Sequence, residues 1–267
     1  MSQYDNRYGQ ARVATRAGVE SIDEGLRAYM LSVYNYLALG LVVTGAVAYL
    51  LFTQIATTDP ALAAKVGVGG AQVVKMGNYY LTQLGVTLFR SPLAFVIMFA
   101  PLGLLLFLMF KGHNLSFGGA QGVYWLLTVL IGLSMSTIFL RYGMGSIAKV
   151  FFITAASFGA LSLYGYTTKK DLSGWGTFLF MGMIGVFLAI IANMFLKSPA
   201  LHFAISVIGV LVFAGFTAYD TQQIKEVYYE GDDAAVQGKK AVFGALSLYI
   251  DFINMFQFLL SLLGGRD

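Results

Sequence analysis

Residues 201–225, LHFAISVIGVLVFAGFTAYDTQQIK, decide the fold class. Residues 201–219 contain no Asp, Glu, Lys or Arg, and about 20 mostly apolar residues in helical form cross the roughly 30 Å hydrocarbon core of a bilayer. The run is continuous and lacks the apolar/polar alternation of a membrane-barrel strand, so it reads as a transmembrane helix. Seven stretches of this kind lie along the chain: Ala28–Phe52, Pro92–Phe110, Gly122–Leu140, Ile147–Tyr166, Thr177–Phe195, Leu201–Thr221 and Ala241–Leu263. They predict an all-α polytopic membrane protein whose seven helices form one domain over 28–267. A polar, mobile and solvated tail, 1–27, precedes it; its scattered Arg7, Arg12 and Arg16 are unlike the start of a cleavable signal.

Composition agrees. The 267 residues are 58% hydrophobic and only 11% charged, where a soluble domain is roughly 25% charged. That excludes an ordinary cytosolic enzyme and a disordered chain. With no cysteine and two histidines, disulfide scaffolds, thiolate metal sites, iron–sulfur clusters and cysteine nucleophiles are excluded as well. Most connections are tight. The exceptions are Thr53–Ser91, where NYYLTQLG (78–85) suggests a short interfacial helix, and the charged Gln222–Lys240 loop. With the N-terminus inside, the cytoplasmic segments hold ten Lys/Arg and the opposite side seven, so the positive-inside rule favours N-in, C-out. Gly40, Gly45, Gly182, Gly185 and the Ala155/Gly159 pair lie within spans, where small residues let helices approach closely. Pro101 should kink the second span.

Of thirteen Asp and Glu, eleven lie in tails, loops or turns, and two, Asp220 and Asp251, fall inside spans. A charge at the bilayer centre costs at least about 2.5–3.5 kcal/mol, so such residues face the bundle interior or water and mark function. Asp251 lies eleven residues past Lys240, about 16 Å into the last span. Ser247, Asp251, Asn254 and Ser261 share one face of that helix, which places the seventh span at the centre with the others around it. Thr217 and Gln223 share the face of Asp220. If the two carboxyls meet, a low-dielectric bundle cannot easily hold both ionised; one shared proton makes a proton-responsive latch near physiological pH. The pair also offers hard oxygen ligands. Calcium takes six to eight of them, so two aspartates with Asn254, Thr217 and carbonyls would form a sparse, weak site of the kind permeation needs.

At these residues the chain resembles the Bax inhibitor (transmembrane Bax inhibitor motif) family in its bacterial form. The likeness runs from IDEGLRAYMLSVYNYLALGL (22–41) through FITAASFGALSLYGYTTKKDLSGWG (152–176) and FAGFTAYDTQQIKEVYY (213–229) to LYIDFINMF (248–256). The resemblance implies six helices around a central seventh and a pH-dependent calcium leak of the inner membrane. Its di-aspartyl sensor would be Asp220 and Asp251, with calcium and protons as permeant or sensed ions and no cofactor. It also implies a basic latch on the second span, but Pro92–Phe110 contains no Lys or Arg and Arg90 lies just before it. Other members resemble non-conducting modulators of a membrane-bound AAA protease or of cell-death and stress factors, which sets the alternative reading. A nucleic-acid partner is not expected.

Other motifs are weaker. Gly238-Lys239-Lys240 lacks P-loop spacing, and Gly67, Gly69 and Gly70 do not complete a dinucleotide fingerprint. His113 and His202 read as interfacial residues, and Asp171 reads as the N-cap of the fifth span. An aspartyl intramembrane protease would also need two Asp on adjacent spans, but neither is followed by a glycine-rich context.

Overall fold

A computed structural model of the chain describes the backbone of residues 3–66 and 72–265 and the side chains of 24–65 and 73–265. Helix α1 (Gln3–Ile55) carries the first span as Glu24–Ile55. Arg7, Arg12 and Arg16 lie outside the residues whose side chains are described. After the 53–91 segment come α3 (Leu93–Lys111), α4 (Phe117–Met135, continued by a 3₁₀ turn to Leu140), α5 (Met144–Thr167), α6 (Trp175–Leu196), α7 (Pro199–Glu226) and α8 (Ala234–Leu263). Among the described residues, seven helices are long and apolar enough to cross a membrane.

The spans fall where hydropathy places them, but their helices run on. Residues 222–226 continue α7 and 234–240 begin α8, so the charged loop shortens to 227–233. Hydropathy marks where lipid ends, whereas a helix ends at its caps. Asp233 supplies one, its carboxylate accepting from the Val236 amide at 2.8 Å. Ser198 and Ser116 do the same for α7 and α4, Ser198 with Pro199 at the first helical position.

Two local expectations are corrected. Asp171 does not cap a helix: α6 starts after Gly174, and the Asp171 carboxylate accepts from the Ser173 amide at 2.8 Å within the preceding turn. Hydrogen bonding from Ser173 holds this exposed carboxyl below its ordinary value of 3.8. The depressed folded value means the turn contributes fully above 3.8 and loses that contribution as pH falls through the lower value. A carboxyl-carbon NMR titration should show the lowered midpoint, and the shift should vanish when Ser173 is replaced by proline.

The 53–91 segment is also not simply a loop with an interfacial helix. Strands β1 (Ala56–Thr57), β4 (Lys75–Met76) and β5 (Tyr79–Leu81) form a small antiparallel sheet in the order β1–β5–β4, and β2 (Lys65–Val66) pairs with β3 (Gln72–Val73). Met76 faces Tyr79 across a two-residue turn whose first residue, Gly77, has φ 59°, the conformation a glycine-first hairpin turn requires. Tyr79 and Tyr80 therefore sit in a strand, and of residues 78–85 the helical part begins at Gln83, the start of α2 (Gln83–Phe89), capped by Thr82. This end of the bundle is termed the sheet end. The other, with Lys111, Lys169, Lys170, Lys225, Lys239 and Lys240, is the basic end.

Helix α8 is the centre of the bundle: half of its most apolar stretch is buried, and it packs against α1, α4, α5 and α7. It is not ringed equally by all six. Helix α6 packs chiefly on α7, and α3 packs chiefly on α4, with 6% of its most apolar stretch buried. Pro101 lies inside α3 and has no N–H to offer the Ile97 carbonyl one turn earlier. Ser134 of α4 donates to that carbonyl instead, at 2.7 Å. In hydrocarbon a backbone acceptor must find such a partner. Ser134→Ala should lower stability in detergent by about 1 kcal/mol, and a Ser134→Ala/Pro101→Ala double substitution should recover most of it by restoring the intrahelical bond, as thermal unfolding would read.

Glycine packing is selective. A Cβ on Gly132 would lie 2.8 Å from the Thr44 carbonyl oxygen of α1, and one on Gly165 would overlap the Ala218 carbonyl of α7. The glycines singled out in the sequence divide: Gly40 closes on Tyr124 and Gly182 on Val212, but nothing lies within 4 Å of a Cβ on Gly45, Gly159 or Gly185.

Candidate functional site: a buried carboxyl pair between two cavities

Asp251 is 4% exposed in the middle of α8, and one of its carboxyl oxygens, Oδ2, is buried with no hydrogen-bond partner. The charged group that acts on it is the half-buried Asp220 of α7. The α7–α8 packing thus brings together the two in-span acids. Burying one charge without a counter-ion is costly, and burying two of one sign more so. Neither acid is ion-paired: among the described residues the ion pair is Lys240 with Asp232, near the basic end. Arg90 ends α2 at the sheet end and is exposed, away from the pair.

Two cavities flank Asp251 along α8. One, of about 470 Å³, opens at the basic end and is lined by Ser247 and Gln223, with Lys239, Lys240 and Tyr29. The other, of about 510 Å³, lies between α3, α4 and α8 and is lined by Asn254, Gln257, Ser134 and Thr137. Ser247 precedes Asp251 by four residues and Asn254 follows by three, about 6 Å and 4.5 Å of helix rise. The acid therefore sits between two largely apolar spaces that each carry a few polar groups, and its neighbours along α8, Leu248, Tyr249, Phe252 and Met255, are buried as well.

The supporting residues behave differently from one another. Thr217 is fully buried and donates to the Phe213 carbonyl at 2.8 Å, and Asn254 donates to Ile250 at 2.8 Å, so each spends a donor on its own helix while keeping acceptor oxygen. Gln223 reaches Glu226 at 3.3 Å. Ser261 bonds His202 at 2.8 Å and Ser206 at 3.1 Å, pinning α8 to α7 near the sheet end.

Sequence reasoning missed how the residues beside Asp220 anchor α7. Thr221 bonds Ser162 of α5 at 2.9 Å, and Ser162 bonds Tyr34 of α1 at 2.7 Å. Gln222 accepts from the Leu172 amide and donates to the Lys170 carbonyl, both at 2.8 Å. Lys225 donates to the Tyr166 carbonyl at 2.9 Å. The polar run TQQIK after Asp220 is thus largely a clamp on the end of α5 and its following loop. Its mixture of hydroxyl, amide and ammonium groups just inside a span end was the available signal. Gln222→Ala would strand the Leu172 amide and should cost about 1–3 kcal/mol, with faster amide hydrogen exchange confined to 170–174.

A family model described as inhibitor of apoptosis-promoting Bax1 matches residues 26–267, spanning all seven helices and both acids. The chain belongs to the Bax inhibitor family. Among relatives, a Caulobacter vibrioides protein is 49% identical over 267 residues, covering 100% of this chain and 99% of the relative. Inner membrane protein YbhL of Escherichia coli K12 is 39% identical over 244 residues, 91% of this chain and 93% of its own. Like its Bax inhibitor relatives, the protein is an integral membrane protein, and its in-span acids lie within the matched region.

Proposed function

We propose that the protein is a pH-sensitive calcium leak of the bacterial inner membrane, with Asp220 and Asp251 as sensor and gate and the N-terminus in the cytoplasm. The observation that carries this reading is the Asp251 carboxyl with its unpartnered Oδ2, buried beside Asp220 and between two largely apolar cavities into which Gln223, Ser247, Asn254 and Gln257 bring polar groups. A carboxyl kept for packing would be hydrogen-bonded; one kept for an ion or a proton must be able to release both. A cation entering from either cavity meets two carboxylates, with Asn254 and Thr217 oxygens near them, a sparse set suited to passage rather than storage. A proton shared by the pair competes with that cation for the same oxygens. Asp220 is the charged group facing Asp251, while Lys239, Lys240 and Tyr29 line the basic-end cavity. The inner-membrane placement follows the Escherichia coli relative's name, and the N-in orientation follows the ten basic residues gathered at the basic end and tail.

The test is calcium flux into liposomes holding a calcium dye and the purified chain. Flux should change with pH, up to about tenfold per pH unit for one titrating proton, and Asp220→Asn or Asp251→Asn should flatten the profile. A pH-independent flux would remove the mechanism. No flux at all would favour the reading as a non-conducting modulator of a membrane-bound protease or stress factor.

A further inference from the structure

Helices α1 and α5 both pack on α8 but are not among the bundle's principal packed pairs. Between them, at the basic end, lies a cavity of about 680 Å³. Its walls are apolar, formed by Leu31 and Leu37 of α1 and Phe158 and Leu163 of α5. Leu31 and Leu163, at 53% and 63% exposed, leave it open toward the lipid. Gly159 keeps it deep, with nothing within 4 Å of the place a Cβ would take. From Arg27 to Leu37 the groove covers ten residues of helix, about 15 Å, or half of a roughly 30 Å hydrocarbon core. It is as long as one acyl chain in one leaflet.

The mouth is cationic. Arg27 borders the groove, is exposed, and has no carboxylate partner among the described residues; Glu24, one turn earlier, forms no ion pair with it. Among the described residues, no acidic side chain lines the groove. Exposed Lys169 and Lys170 follow within four residues of Tyr166, which lines the same mouth. A guanidinium matches the geometry of a phosphate, and each basic residue at the membrane surface favours an anionic lipid by an amount that makes a several-fold preference. We propose that this groove seats one anionic phospholipid, its phosphate on Arg27 and an acyl chain along α1 and α5. Helices α1 and α5, with α8 and the end of α4, enclose a second cavity nearer the sheet end, of about 290 Å³, whose lining includes Gly45 and, among the described residues, no charged side chain. That cavity takes apolar chain without selecting a headgroup.

The test is native mass spectrometry of the full chain in detergent micelles doped with equal amounts of phosphatidylglycerol and phosphatidylcholine of identical acyl chains. One phosphatidylglycerol should be retained with a preference of roughly five-fold, the effect of one interfacial arginine. Arg27→Gln should bring the preference to parity. Gly159→Leu, whose Cβ meets no neighbour and whose branched side chain would occupy the groove, should abolish preferential retention, whereas Gly45→Leu should leave it intact. Equal retention of both lipids by the wild type, or an undiminished preference in Arg27→Gln, would overturn the proposal. Arg27 is exposed, so its variant remains decisive even if Gly159→Leu fails to fold.

Discussion

Asp251→Leu is expected to unfold later than the wild-type protein, by about 1–3 kcal/mol, and to lose any pH response of calcium flux. A core substitution normally destabilises. Here the residue removed has a buried oxygen without a partner and a second acid facing it. Leucine strands no hydrogen-bonding group that Asp251 is seen to satisfy, and it leaves one in-span acid on α7 and α8 where there were two. Its neighbours along α8, Leu248, Phe252 and Met255, are buried and apolar. A gain in stability with a loss of function would mark a site held against the interests of folding. A loss of stability would instead identify Asp251 as a structural polar residue. Thermal unfolding in detergent, run beside the liposome assay, separates the two.

Gly165→Leu is expected to have the opposite and larger effect: about 3 kcal/mol or more of destabilisation, or failure to assemble. A Cβ at Gly165 would overlap the Ala218 carbonyl oxygen and lie 2.9 Å from its carbonyl carbon, so α5 and α7 would have to part. The obstacle is backbone, which cannot swing aside as a side chain can. Parting them would also strain the Thr221–Ser162 and Lys225–Tyr166 bonds close by. Gly159→Ala, on the same helix, supplies the control. It meets nothing and should change stability by no more than about 1 kcal/mol, in the stabilising direction that helix propensity gives.

The contrast between those glycines shows which information a single sequence carries. Hydropathy over 20-residue windows places all seven spans because the bilayer imposes that length on every helix alike. The rarity of charge inside spans singles out Asp220 and Asp251, since only a special environment tolerates them. Partner choice has no such signature. Gly159 sits four residues from Ala155 in a small-xxx-small pair yet faces a groove, while Gly165 carries the close crossing. The rotation of α5 about its axis decides between them, and seven apolar helices read much alike in periodicity. Tyr79 and Tyr80 show the same limit at short range. An aromatic pair suits an interfacial helix and a strand equally, and the Met76–Tyr79 pairing decides for the strand. The residues around Asp220 were legible as polar but not as a clamp, because hydrogen bonds to Ser162, Lys170 and Leu172 depend on which helices meet.

The bond from Ser134 to the Ile97 carbonyl bears on how the chain enters the membrane. Proline at 101 leaves α3 with a backbone acceptor that its own helix cannot satisfy, and the donor arrives only with α4, which is synthesised later. A lone α3 released into lipid would carry that vacancy for the whole interval. The two helices are therefore best delivered together, as a hairpin retained at the insertion machinery until the serine has emerged. Stalled nascent chains ending before and after Ser134 should differ in how readily α3 crosslinks to lipid.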